Sequence, residues 1–129
     1  MSEPIDAYDE IVRMCGLYME GASKGDVGKL KEAFHEDARM FGQIDSWRYD
    51  GPIMDFFDSV AAKPADTGAY RGRVQSVQQV GEAALAVVAE DGYWGSLSFI
   101  DFLSLARIDG KWKIVNKTFE CTGGEPPAA

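Results

Sequence analysis

SLSFIDFLSLARIDGKWKIVNKTFE, running from Ser96 to Glu120, decides the fold of this chain. Two runs rich in Ile, Leu, Val, Phe and Trp flank Asp109-Gly110, a dipeptide that readily takes the positive φ angles of a two-residue hairpin turn. The stretch therefore reads as one long β-hairpin. A plain two-residue turn pairs Ile108 with Lys111, and the later pairs follow in step. Leu105 then faces Ile114, Ser104 faces Val115, Phe102 faces Lys117, Asp101 faces Thr118 and Ile100 faces Phe119. Both faces of this ladder are largely apolar, so the hairpin is expected to be covered on two sides.

The rest of the chain sets the class. Its 129 residues, 46% apolar and 26% charged, suit one folded domain, residues 1–122. Residues 123–129 are small and Pro-rich, with nothing to bury, and read as a flexible tail. A formal charge of −8 opposes binding to nucleic acid or to an anionic membrane, because both need clustered Lys and Arg. The start, MSEPIDAYDE, is acidic where a signal peptide is basic, and no apolar run is long enough to span a bilayer. A cytoplasmic protein is expected. Cys15 and Cys121 make no metal-binding spacing and read as free thiols, and no cofactor motif is present.

Ahead of the hairpin, Tyr8, Ile11, Val12, Cys15, Tyr18, Met19 and Ala22 recur at steps of three and four, which predicts a helix that ends at Gly25. Asp26 caps a second, shorter helix with Val27, Leu30 and Phe34 on its face. Arg39 to Trp47 reads as a strand with a bulge or close packing at Gly42. Pro52 opens a third helix that presents Ile53, Phe56, Phe57 and Val60. Lys63 to Tyr70 reads as a loop and Arg71 to Val80 as a half-exposed strand. Ala83 to Glu90 follows as another strand, and Asp91-Gly92 is a second hairpin signal. Helices can cover only one face of such a sheet, so it must curve around them.

GDVGKLKEAFHEDARMFG (25–42) after an amphipathic helix, with FIDFLSLARIDGKWKIVNKTF (99–119), resembles the nuclear-transport-factor-2-like superfamily and, within it, the small proteins labelled putative lumazine-binding. The resemblance spans nearly the whole chain. It implies an α+β fold in which a cone-shaped, curved antiparallel sheet wraps around N-terminal helices and encloses a ligand cavity. It also implies a homodimer through the outer sheet face.

Ketosteroid isomerase, an enzyme of this superfamily, works with tuned carboxylates. Its donor tyrosine precedes a Gly-Asp pair by seven residues, as Tyr18 precedes Gly25-Asp26. The position of its catalytic aspartate resembles Gly42, so that base is missing, and Asp45 replaces it only if the strand bulges. Its second donor falls near Ser104. On the same comparison Phe102, Ser104, Val115, Lys117 and Phe119 face inward, and with Tyr18 and Trp94 they make up the expected ligand-binding set. Trp47 and Tyr93 are rim or core. The expected ligand is a small, largely apolar or aromatic molecule.

A general acid–base enzyme is the alternative function, with Tyr18 as donor and His35, beside Asp37 or Asp101, as base. A structural dimer with a filled cavity is the third reading. A lone histidine suits a helix-end role better than a metal site, and no metal is expected. Lys117 either snorkels to the rim or meets the ligand. Cys15 is an apolar filler. On the outer face, the register places Phe99, Leu103, Leu105, Trp112 and Ile114 in an apolar patch that a second copy would cover.

Overall fold

A computed structural model describes residues 3–126. Helix α1 (Glu3–Lys24) carries Glu3 and Asp6 in its first turn and Lys24 in its last, each complementing the helix dipole. Its buried face is Ala7, Ile11, Met14, Cys15, Tyr18 and Ala22; Tyr8, expected on it, is 51% exposed. Gly25 ends the helix in the left-handed region, φ 71°, where an added Cβ would meet the Val60 carbonyl. Asp26 then caps α2 (Val27–Ala33) by accepting a hydrogen bond from the Lys29 amide at 3.2 Å.

Strand β1 (Phe34–Ile44) starts earlier than the sequence predicts, directly after α2. It stops at Asp45, whose φ of 54° turns the chain into β2 (Trp47–Pro52). The single strand expected across Arg39 to Trp47 is thus a hairpin. Helix α3 (Ile53–Ala62) buries Ile53, Phe56, Phe57 and Val60, the four residues its spacing selects. Strand β3 (Asp66–Val80) takes in most of the expected loop, from Asp66 onward, because Asp66 already pairs with Tyr93.

Strand β4 (Ala83–Tyr93) runs through Asp91-Gly92 instead of turning there. Gly92, at φ 66°, lies where the ladder skips between Glu90 and Tyr93, so close to the Ala69 carbonyl that no side chain fits. The turn comes at Trp94 and Gly95, both at positive φ, and leads to β5 (Leu97–Ile108). Asp109-Gly110 joins β5 to β6 (Lys111–Gly123) as predicted. The strands are ordered β2-β1-β6-β5-β4-β3, antiparallel throughout except for β1 beside β6.

One irregularity corrects the register on which the sequence reading rests. Ile108 faces Lys111 and Leu105 faces Ile114 as expected, but Ser104 faces Asn116, because Val115 is an extra residue in a β-bulge. Beyond it every pair moves by one: Leu103 faces Lys117, Phe102 faces Thr118 and Asp101 faces Phe119. Side chains alternate along a strand, so the bulge changes which residues share a face.

Phe99, Asp101, Leu103 and Leu105 therefore join Trp112, Ile114, Lys117 and Phe119 in the concave core, all at most 7% exposed. The apolar patch expected on the outer face is the inner face, packed under the helices. Phe102 and Ser104, expected inside, lie on the convex side, where Phe102 is 44% exposed. Val115 lines no part of the cavity.

Of the expected tail, Glu125 is tied down by a backbone hydrogen bond in each direction with the Ser96 hydroxyl. Residues 127–129 lie outside the described residues. Cys15 and Cys121 are free, and burial pushes the Cys15 thiol up to about 12, so it stays protonated and inert. No helix among the described residues is long and apolar enough to cross a membrane.

Candidate functional site

The concave side of the sheet brings together four ionisable side chains from four elements. Tyr18 comes from the buried face of α1, Glu90 from the end of β4, Asp101 from the middle of β5 and Lys117 from β6 beyond the bulge. All are at most 4% exposed. The Tyr18 hydroxyl lies 2.9 Å from Glu90 Oε1 and 2.5 Å from Asp101 Oδ2, while the Tyr70 hydroxyl donates to Glu90 Oε2 at 2.5 Å.

Glu90 and Asp101 thus meet at one hydroxyl, that of Tyr18, and lie side by side in the core. Two buried carboxyls this close repel when both are charged, which favours a proton on Glu90. Tyr18 has one proton for two carboxyl partners, and protonation of the pair supplies the missing donor. Burial, reinforced by the charge of Asp101, raises the Glu90 pKa well above the usual carboxylate range. Burial also raises the Tyr18, Tyr70 and Tyr93 hydroxyls, so all three remain neutral donors. Asp101 Oδ1 is buried with no hydrogen-bond partner among the described residues.

Lys117 stands apart from this cluster on the cavity side. Its Nζ lies 3.8 Å from the centre of the Phe56 ring, 4.9 Å from that of Tyr18 and 5.4 Å from that of Phe119. Aromatic faces attract a cation but do not replace its water. Burial accordingly lowers the Lys117 pKa, although the charges of Asp101 and Glu90 pull it upward.

Above the cluster is a chamber of about 30 Å³, lined by Glu90 and Lys117 together with Met40, Phe56, Tyr93 and Phe119 among others. That volume holds about two waters. Ile44, Tyr49, Ser59 and Trp94 line both the chamber and an outer cleft of about 660 Å³, where Trp47 stacks on Tyr49 at 5.4 Å. The outer cleft has the volume of a ligand site; the inner chamber has room for one functional group.

Among the expected site residues, Trp94, Lys117 and Phe119 line the chamber. Tyr18 sits behind it with its hydroxyl engaged by the carboxyls, and Phe102, Ser104 and Val115 are elsewhere. His35 is half-buried at the start of β1, one residue past the Phe34 C-cap of α2; its Nδ1 accepts from the Asp37 amide at 3.0 Å, and it does not line the chamber with Glu90. Asp45 is in a surface turn that borders the outer cleft. The position matched to the isomerase base is closed: a Cβ on Gly42 would stand 2.5 Å from the Phe119 ring, which packs flat on that glycine.

Glu90 was missed because Asp91-Gly92 drew the strand to a close beside it. The available signal was parity, since Glu90 follows Ala86 and Val88 on the buried face of β4. Asp101 adjoins Phe102, which the unbulged register turns inward, so that register leaves Asp101 on the opposite face.

This architecture is that of the nuclear-transport-factor-2-like proteins. A protein of unknown function from Shewanella baltica OS155 is 28% identical and superposes with a TM-score of 0.85 over 96% of this chain and 100% of its own. Another, from Methylobacillus flagellatus KT, is 33% identical with a TM-score of 0.83, covering 95% and 96%. Within that class, residues 6–120 match the family described as putative lumazine-binding, and the chain belongs to it. A curated relative, Aldolase FrzH from a Cladobotryum species, is 28% identical over 112 residues, which is 87% of this chain and 89% of that protein.

Proposed function

We propose that this protein binds a small, largely apolar or aromatic carbonyl compound between sheet and helices and moves a proton on it by general acid–base catalysis. The observation that carries the reading is the Glu90–Asp101 pair, held by Tyr18 and Tyr70 at the base of an aromatic chamber. Burying two carboxyls costs stability that well-packed apolar residues would not cost, and such groups cluster at functional sites. A shared proton lets the pair serve as acid and base at once. The kinship with a protein named an aldolase supports the same chemistry, because an aldol reaction begins with removal of a proton next to a carbonyl.

The ligand's body would lie in the outer cleft against Trp47, Tyr49 and Trp94, with its carbonyl in the chamber. A homodimer through the convex sheet face is part of the proposal, on residues other than those first expected.

The test is exchange of α-protons in D2O, followed by NMR, across a panel of aromatic and alicyclic ketones. Wild-type protein should catalyse exchange for at least one compound, and Glu90→Gln should slow it by about 10²- to 10⁴-fold. Ligands that raise the melting temperature without exchange would make the protein a carrier. That second reading rests on the smallness of the chamber.

A further inference from the structure

Lys117 does not behave as a structural lysine. It is 4% exposed, so it does not snorkel to the rim, and it takes part in no ion pair among the described residues. Lysines are rarely buried without a carboxylate against the ammonium, because the desolvation cost is several kcal/mol. Here the amine is packed instead among the rings of Phe56, Tyr18 and Phe119, and it lines the chamber. The carboxyl pair lies close enough to act on it electrostatically, with the Tyr18 side chain touching both groups. An apolar pocket that holds an amine beside an acid is the arrangement that makes a lysine nucleophilic toward carbonyls.

We infer that Lys117 forms an imine with an aldehyde or ketone held in the chamber, a role that rests on the cavity admitting a carbonyl compound. Lys117 first gives a proton to the anionic carboxyl pair, which neutralises both and creates no net charge in the core. The amine lone pair then attacks the carbonyl carbon, the C=O π electrons move to oxygen, and a proton transfer within the adduct gives a neutral carbinolamine. The pair returns its proton to the hydroxyl, the C–O bond breaks, water leaves and the nitrogen lone pair completes C=N. The sum is ammonium plus carbonyl giving iminium plus water. The positive charge then stays at Lys117 next to the reformed carboxylate, and the pair is poised to remove the neighbouring α-proton.

Burial lowers the pKa of this amine. An exposed lysine is neutral in roughly one molecule in a few thousand at pH 7, so selectivity should be visible against the rest of the surface. The chain has seven lysines, and the other six are exposed or half-buried.

The test is reductive trapping: wild-type protein with benzaldehyde, or acetaldehyde as a smaller probe, and cyanoborohydride at pH 7. On lysine side chains one addition is expected, with a mass gain equal to the aldehyde less one oxygen; addition at the N-terminal amine, whose pKa is about 8, is mapped separately. Peptide mapping should place it on Lys117 in excess over any other lysine by about tenfold or more. Prior unfolding in urea should remove that excess. Lys117→Met should lose the addition, and should this variant fail to fold, the mapping on wild-type protein decides alone. Even labelling of the surface lysines, with Lys117 no more modified than they are, overturns the imine. If the aldehydes nevertheless raise the melting temperature, the binding cavity stands. If they neither bind nor label Lys117, and no ketone of the exchange panel binds, both readings fall.

Discussion

Glu90 is 1% exposed, lies within hydrogen-bond distance of two tyrosine hydroxyls and shares that of Tyr18 with a second carboxyl. Such a group couples folding to pH. Below its ordinary value of 4.5 both folded and unfolded chains hold the proton; above it the unfolded chain releases the proton while the folded chain keeps it. Stability therefore falls as pH rises, by up to about 1.4 kcal/mol per pH unit, until the raised folded-state pKa is passed. Lys117 works from the other side: its stabilising neutral form is complete above 10.5, and stability is lost as pH falls toward its lowered pKa. Glu90→Gln keeps the shape and has no proton to lose. Urea midpoints should show it gaining on the wild type between pH 5 and pH 8; a constant difference would refute the raised Glu90 pKa. Tyr18→Phe is a separate test at this scale. It strips a donor from two buried carboxyls and should cost about 1–3 kcal/mol by chemical denaturation. Tyr18 is in the expected ligand-binding set, but its hydroxyl is engaged by the protein itself, so the loss falls on the fold.

Strands β1 and β6 explain why so much of the element order was legible and the site only partly so. Turn chemistry at Asp109-Gly110, capping by Asp26, and the helical spacing of Ile53, Phe56, Phe57 and Val60 are local signals, and the folded chain obeys each of them. The bulge at Val115 has no local signature, since a valine in an apolar run is as good in a regular ladder. It nevertheless decides whether Asp101 faces solvent or Tyr18. Lys117 and Phe119 were placed inside through the isomerase comparison, and the bulge is what puts them there. Gly42 was the readable exception, because a glycine inside a strand announces close approach, and here the Phe119 ring is what approaches. Gly42→Ala should destabilise by about 1–3 kcal/mol, as overpacking does. Combined with Phe119→Leu, which vacates the space, the two losses should fall short of their sum. Strict additivity in a double-mutant cycle by denaturation would mean that the contact does not constrain the strand.

At the scale of the molecule, the corrected register moves the proposed twofold interface to different side chains. Sheet residues on the convex side are Leu85 and Val87 of β4 and Ile100 and Phe102 of β5, with Val87 directly opposite Phe102. Phe102 and Leu85 are 44% and 38% exposed, and Ser104, Asn116 and Thr118 border them with polar groups. An apolar centre with a polar rim is the anatomy of an interface between copies of a chain. Leu105, by contrast, is 2% exposed beneath the helices. The two positions therefore separate assembly from folding. Phe102→Glu should leave the melting transition of the monomer cooperative and convert the dimer to monomer, read by sedimentation at tens of micromolar. Leu105→Glu places an unpaired carboxylate in the core and should unfold or precipitate the chain, costing several kcal/mol, rather than release a folded monomer. A wild-type chain that sediments as a monomer at that concentration would remove the dimer. A soluble, folded Leu105→Glu monomer would instead restore the unbulged register and take Asp101 away from Tyr18.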